Sequence, residues 1–351
     1  MCGVVAILSQ SAPVGEETLQ RALEALRHRG PDGSGVWGTP DRRVALGHAR
    51  LSVIDLETGA QPLSSEDGQV VAVVNGEFYD WERIRRILEQ RGHRFSTHSD
   101  SEILVHLYEQ YGQDCLRHLR GEFAFVLWDG RRRQLFAARD RWGIKPLCYV
   151  MVDGTLYLAS EAKGLFAAGV RAAWDREAFF QAAHLQYVPP DRTLFAGVCQ
   201  LRPGHSLIAA DGEVRTHGYW YLDYPPVEHA AMDASEADIV HELRELLDEA
   251  VRLRLRADVP VACHLSGGLD SSAVLGLAAR HSPRPIDCFT VSFDAAPYDE
   301  LRVAEEMARH AGANLHPVRV TQDDLVEHLS DAVYFSEGLA INGHLTAKFL
   351  L

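Results

Sequence analysis

None of the six cysteines (Cys2, Cys115, Cys148, Cys199, Cys263, Cys288) stands in a C-x-x-C pair. Their scatter supplies neither a zinc pattern nor a disulfide framework, and reduced thiols are expected. No apolar run approaches membrane-spanning length, and the N-terminus lacks the basic region of a secretory leader. Cytoplasmic residence is the expectation that follows. Positive charge is in deficit: 35 Lys and Arg against 49 Asp and Glu give a net charge of −14. That excludes nucleic acid as a main partner and leaves room for a local anion site. Internal repeats and low-complexity segments are also lacking.

What is there is a globular composition over 351 residues, enough for two or three domains. Strand-like runs at 3–8, 44–48, 51–55 and 70–75 are followed by amphipathic helices at 81–90 and 101–111. Further strands are predicted at 122–128, 135–140, 147–152 and 156–160. Between them, residues 28–35 (H-R-G-P-D-G-S-G) read as an ordered loop. Asn75-Gly76-Glu77 reads as a sharp turn closing its apolar run. These runs predict layers of helix and sheet in one domain over 2–218. A linker is expected over 219–236. From 237 to 351 the character changes: helix 237–255, then strands 259–265, 286–293 and 314–320 alternating with helices 271–281, 299–311 and 322–335. That alternation predicts a parallel sheet, hence an α/β domain.

Two stretches carry chemistry. Cys2 follows a methionine that is normally trimmed before a small residue, which would place a thiol and a free α-amine on one residue. The amine, which ordinarily titrates at about 7.7–8.0, can serve as base to the thiol. The second stretch is Leu265-Ser266-Gly267-Gly268-Leu269-Asp270-Ser271-Ser272, between a strand and a helix. Its glycines and outward N–H groups make a phosphate site. Asp270 would repel a bare phosphate, so a divalent cation, most simply Mg²⁺, is expected between them. The Walker A lysine is lacking.

The loop S-G-G-L-D-S-S resembles the pyrophosphate loop of ATP pyrophosphatases. Cys2, with H-R-G-P-D (28–32), R-L-S-V-I-D (50–55), N-G-E (75–77), S-D-S-E (99–102) and R-D-R-W-G-I-K-P-L (139–147), resembles the class II glutamine amidotransferase domain. Together, in this order, they resemble glutamine-hydrolysing asparagine synthetase over nearly the whole chain. The resemblance implies an N-terminal-nucleophile αββα sandwich followed by a parallel-sheet nucleotide-binding domain. It implies that Cys2 attacks the glutamine side-chain amide, and that Asn75 (side chain) and Gly76 (N–H) form the oxyanion hole. Arg50 would hold the α-carboxylate, and Glu77 and Asp100 the α-ammonium. Leu265 to Ser272 would bind ATP, with Val291 and Ser292 beside the adenine and Asp270 on Mg²⁺. The released ammonia would amidate an adenylated carboxylate, aspartate first. A homodimer is compatible with the resemblance.

The pattern is broken in places. Asp80 stands where N-G-E-x-Y-N commonly ends in asparagine, and 337–345 (E-G-L-A-I-N-G-H-L) is unlike the usual acceptor-side segment. The later acidic loop and catalytic lysine of the synthetases are not in the 351 residues. The expectation is a fragment of a longer chain or an incomplete synthetase that releases glutamate without forming amide. Three rivals stay open: the same chemistry on another carboxylate, a β-lactam-synthetase-like cyclase, and a non-catalytic ATP- or glutamine-sensing module. Full retention of Cys2, Arg50, Asn75 and Asp100 weighs against the cyclase.

Overall fold

The run Val70–Phe78 (β5) is apolar on both faces because both faces are buried. Val70, Ala72 and Val74 pack into one core cluster, while Val71 and Val73 point the other way into a second. Each fully buried side chain of this kind contributes roughly 1.5–3 kcal/mol. This strand lies in one of two six-stranded antiparallel sheets, described for residues 1–224, 235–294 and 299–351 of a computed structural model. The expected linker residues 225–234, and Tyr298, lie outside the described residues. The chain divides into two compact units, Met1–Leu222 and Asp223–Leu351.

In the first unit, one sheet contains β1 (Gly3–Ser9), β2 (Gly33–Gly38), β3 (Val44–Arg50), β8 (Cys148–Val152), β9 (Thr155–Ala159) and β10 (Cys199–Gln200), in the order β10-β8-β9-β1-β3-β2. The other contains β4 (Leu63–Ser64), β5, β6 (Gly121–Asp129), β7 (Gln134–Arg139), β11 (His205–Ala210) and β12 (Glu213–Gly218), in the order β12-β11-β7-β6-β5-β4. Val4, Ala6, Leu46 and Leu158 from the first sheet meet Val71, Val73, Val126 and Ala137 from the second. The outer face of the first sheet is covered by α1 (Glu16–Ala25) and α4 (Ala162–Ala167), through Leu19, Leu23, Ala162 and Leu165. That of the second is covered by α2 (Trp81–Gln90) and α3 (Ile103–Tyr111), through Ile84, Leu88, Ile103 and Leu107. The layer order is therefore αββα. One more helix, α5 (Arg176–Leu185), is not signalled by the sequence pattern.

Three expectations for the first unit are corrected. The stretch 28–35 is not all loop: Arg27–Arg29 is a 3-10 turn, and Gly33 begins β2, which pairs along β3 with Gly33 opposite Arg50. Glycine-rich residues suffice for an edge strand because only one side must pair. Residues 51–55 form no strand; their side of the chain is turned by Asp55, whose carboxylate accepts from Thr58 N at 2.9 Å and His98 N at 2.8 Å. Asn75-Gly76-Glu77 is not a turn: β5 runs on to Phe78, with Gly76 opposite Phe123. A Cβ at Gly76 would lie 2.1 Å from Glu122 O, so the glycine serves close approach of β6 and not a reversal.

In the second unit β13 (Ala262–His264), β14 (Asp287–Phe293) and β15 (Asn314–Val320) pair in parallel, as the alternation predicts. Helices α6 (Glu236–Arg254), α7 (Leu269–His281) and α8 (Leu301–Ala311) accompany them, and Leu265, Leu275, Cys288, Ala304 and Ala308 form the core. Ser235 and Asp238 close a capping box at the start of α6, and Thr321 and Asp324 close another. The helix expected over 322–335 is broken at His328 into α9 (Gln322–Glu327) and α10 (Leu329–Ser336), and α11 (His344–Leu350) follows.

Candidate active site and nucleotide loop

Strand β1 carries Cys2 to the edge of a cleft where β3 and β5 also end. Cys2, Arg50, Leu51, Gln61, Asn75, Gly76, Glu77, Asp100 and Lys145 line that cleft. Its volume of about 240 Å³ falls below the roughly 300–1,000 Å³ of drug-sized ligand sites, so it suits a small solute.

The motifs that flank Cys2 hold it still. Arg29 donates through Nε to Cys2 O at 2.9 Å and through a terminal nitrogen to Glu161. Glu161 also takes Lys163 and His28. Burial pushes the Glu161 carboxyl up, but Lys163 and Arg29 outweigh it and its pKa is net lowered. Asp32 accepts from Ser52 N at 2.7 Å, tying the 28–32 segment to the loop after β3. The Cys2 thiol lies between Leu51 N (3.4 Å) and Leu51 O (3.6 Å). Burial pushes the thiol pKa up, so it rests as a neutral thiol that needs a base. Burial also lowers the pKa of the terminal amine, here on Met1.

Asn75 is the most telling residue of the cleft. It is 1% exposed, and neither its Oδ1 nor its Nδ2 has a hydrogen-bond partner. Leaving a buried amide unsatisfied costs about 1–3 kcal/mol, so such a group needs a reason to be there. Its backbone neighbours are already held, because Gln61 pairs through its side chain with Val74 N (2.7 Å) and Val74 O (3.2 Å). Arg50 is anchored by the carbonyls of Ile54 and Asp55. Asp100 is 3% exposed and accepts from Phe78 N at 2.6 Å. Burial lifts its pKa to about 7; the Phe78 hydrogen bond opposes this and Glu77 adds to it. Two cations, Arg50 and Lys145, and two carboxyls, Glu77 and Asp100, thus share a cleft with a thiol and an unpartnered amide.

Lys145 and Gln61 also line the cleft, although the sequence motifs assign neither a role. Lys145 falls inside the 139–147 motif, and its placement explains that motif. The buried Asp140 carboxylate accepts from Trp142, Ile144 and Lys145 N, each at 3.0 Å. Arg139 holds Gly143 O at 2.6 Å and Lys145 O at 2.9 Å. Lys145 Nζ then stands 3.6 Å from Glu122 Oε2. No sequence pattern marks Gln61.

In the second unit, Leu265–Gly268 leaves the carboxyl end of β13, and Val291 and Ser292 lie near the carboxyl end of the neighbouring β14. Leu265 N donates to Phe289 O at 2.9 Å, which registers the loop on that strand. Gly267 has φ +77°, and its position packs against Val303 on α8. Ser266 and Ser271 hydroxyls meet at 3.1 Å. Gly268 is the N-cap of α7 and no side chain caps the helix, so its first-turn N–H groups are left for an anion. Asp270 lies in that first turn and is not the cap. These residues fit a nucleotide phosphate chain.

All six cysteines are unpaired. Among the described residues, no helix is long and apolar enough to cross a membrane.

Comparison with known proteins follows the same division. A glutamine amidotransferase domain is matched over residues 1–220 and asparagine synthase over residues 242–351. The chain is 40% identical to Amidase chry2 of Gibberella zeae, over 96% of this chain and 54% of that protein. It is 35% identical to asparagine synthetase [glutamine-hydrolyzing] 1 of Bacillus subtilis, over 97% of this chain and 54% of that protein. It therefore spans about half the length of the relatives it matches. Among solved structures, a glutamine phosphoribosylpyrophosphate amidotransferase from B. subtilis matches with a TM-score of 0.51 at 18% identity, covering 91% of this chain and 81% of that one. At that identity the match speaks to the fold alone. The chain belongs to the glutamine amidotransferase domain family over residues 1–220, and its residues 242–351 are similar to asparagine synthase.

Proposed function

We propose that the first unit hydrolyses glutamine at Cys2 and that the ammonia amidates a carboxylate activated in the second. The observation that carries the reading is the buried, unpartnered Asn75 amide in the cleft that Cys2 lines. Once Met1 is removed, the Cys2 amine takes the proton from Sγ, and the thiolate attacks the side-chain carbonyl of glutamine. Negative charge develops on the carbonyl oxygen, where Asn75 Nδ2 and Gly76 N–H are the donors. The amine passes its proton to the leaving nitrogen; ammonia departs and a thioester remains, which water opens to glutamate. Arg50 holds the α-carboxylate, since a planar fork suits it. Asp100 and Glu77 hold the α-ammonium.

In the second unit Leu265 to Ser272, with Val291 and Ser292, would hold ATP, and Asp270 would hold Mg²⁺ against the phosphates. When bound, the nucleotide activates the acceptor carboxylate by adenylation with loss of pyrophosphate. Aspartate is the acceptor of first choice, supported by the likeness to asparagine synthetases. A different carboxylate is the second reading, supported by the greater identity to a protein named an amidase and by the unusual 337–345 segment.

The test is a glutamine-mimicking diazoketone followed by intact-mass and peptide analysis. One adduct at Cys2, together with glutamate release that Cys2→Ala abolishes, is expected. An adduct on another cysteine overturns the assignment.

A further inference from the structure

Away from the cleft, three separated segments bring Glu66, His93, His106 and Glu109 together, with one ligand atom from each within 4.8 Å of the others. Glu66 sits in the turn between β4 and β5, His93 just after α2, and His106 and Glu109 one turn apart on α3. We propose that these four side chains form a binding site for one divalent transition-metal ion, with Zn²⁺ the ion of choice, which ties the β4–β5 turn to the α2 and α3 layer.

The same four atoms recur in every close approach. His106 Nδ1 is 3.3 Å from Glu109 Oε2 and 3.7 Å from Glu66 Oε2, and His93 Nδ1 is 3.6 Å from Glu109 Oε2. Bonds of about 2.0–2.2 Å at tetrahedral angles place neighbouring ligand atoms roughly 3.3–3.6 Å apart, so little movement is needed. Two imidazoles and two carboxylates suit zinc in ligand type, and two negative charges balance a divalent cation.

The surroundings are built as supports for such ligands. His106 is fully buried, and its Nε2, which has no hydrogen-bond partner, faces Glu102 Oε1 at 3.6 Å, so Nδ1 is the atom turned to the cluster. A carboxylate behind an imidazole is the usual second layer of a metal site. Glu102 is itself fixed by Ser96 N, Ser96 Oγ, Thr97 N and Thr97 Oγ1 at 2.6–3.0 Å. The spare oxygen of Glu66 accepts from Arg94 N at 2.8 Å, and that of Glu109 faces Arg131 at 3.6 Å. The Phe95 ring lies 4.4 Å from that of His106 and supplies an apolar wall. The side chains of Glu66 and His93 are partly exposed, which gives an ion a way in.

The experiment uses the full chain, stripped with a chelator and titrated with Zn²⁺ against a chromogenic competitor, then with Co²⁺ followed by visible absorption. One equivalent per chain, a tetrahedral cobalt spectrum and a thermal midpoint that rises with Zn²⁺ are expected. His93→Gln and Glu66→Gln sit at the partly exposed edge of the cluster and should fold. Each should weaken binding at least tenfold and remove the thermal shift, while glutaminase activity stays. Substoichiometric binding, affinity in both variants unchanged from the parent, or a thiolate-to-cobalt charge-transfer band would overturn the proposal. The first two would leave the cluster as an ion-pair network, and the third would place the ion on a cysteine.

Discussion

Asp100→Asn should weaken glutamine binding and remove its pH dependence below neutrality. In the free protein burial lifts the Asp100 carboxyl from 3.8 to about 7. At 1.36 kcal/mol per pH unit, that lift is about 4 kcal/mol against the charged form. The carboxyl is therefore largely neutral at pH 6, and an arriving α-ammonium must expel its proton. Glutamine affinity should fall up to tenfold per pH unit below about 7, with close to one proton released per glutamine bound at pH 6 and few at pH 8. The asparagine variant keeps an acceptor for Phe78 N and loses the charge. A charge-assisted hydrogen bond contributes about 1.5–3 kcal/mol, so the dissociation constant should rise about 10- to 150-fold at pH 8. The assay is calorimetry in buffers of differing ionisation enthalpy, in a Cys2→Ala background so that binding is read without turnover. The sign for stability is the reverse of a salt-bridged carboxylate. The neutral form is favoured in the fold, so this group's contribution is full below the ordinary carboxylate pKa and is lost as pH rises through about 7. The ligand-free protein should lose thermal stability across that window, and the variant should not. A pH-independent affinity in the parent, or an unchanged slope in Asp100→Asn, would refute the assignment.

Asn75→Ala should lower kcat for glutamine hydrolysis about 10²–10³-fold with little change in KM, since the donor acts on charge that develops in the transition state; an equal rise in KM would make it a ground-state contact instead. Glu161→Gln leaves Arg29 and Lys163 buried without their carboxylate, and about 3–5 kcal/mol should be lost in urea unfolding. Asp270→Asn should weaken Mg·ATP binding in calorimetry and leave the ligand-free thermal midpoint unchanged, because Gly268 and not Asp270 caps α7; unchanged nucleotide affinity would count against a metal role.

The sequence by itself determined the two kinds of architecture. Continuous apolar strands such as 70–74 required burial on both faces, and strands alternating with helices after residue 259 required a parallel sheet. It also marked Cys2 and the 265–272 loop, because a thiol on a trimmed terminus and a glycine-rich strand-to-helix turn are local signals; Asn75 entered only through the resemblance. Local signals misled where the partner was distant. Asn75-Gly76-Glu77 reads as a sharp turn, yet Gly76 is there for the approach of β6, more than forty residues later. Residues 33–35 read as loop, yet they pair with β3 at the sheet edge. What only the tertiary structure decided is which charges are buried together. Arg29, Glu161 and Lys163 are an ordinary arginine, glutamate and lysine along the chain, and become one buried ion-pair group that holds the Cys2 carbonyl when positions 132 apart in sequence are brought together. Glu66, His93, His106 and Glu109 carry no recognisable spacing, because their neighbourhood depends on how α2, α3 and the β4–β5 turn pack and not on any one element's period. The raised Asp100 pKa has the same origin: desolvation is a property of the packed environment, and no residue type announces it.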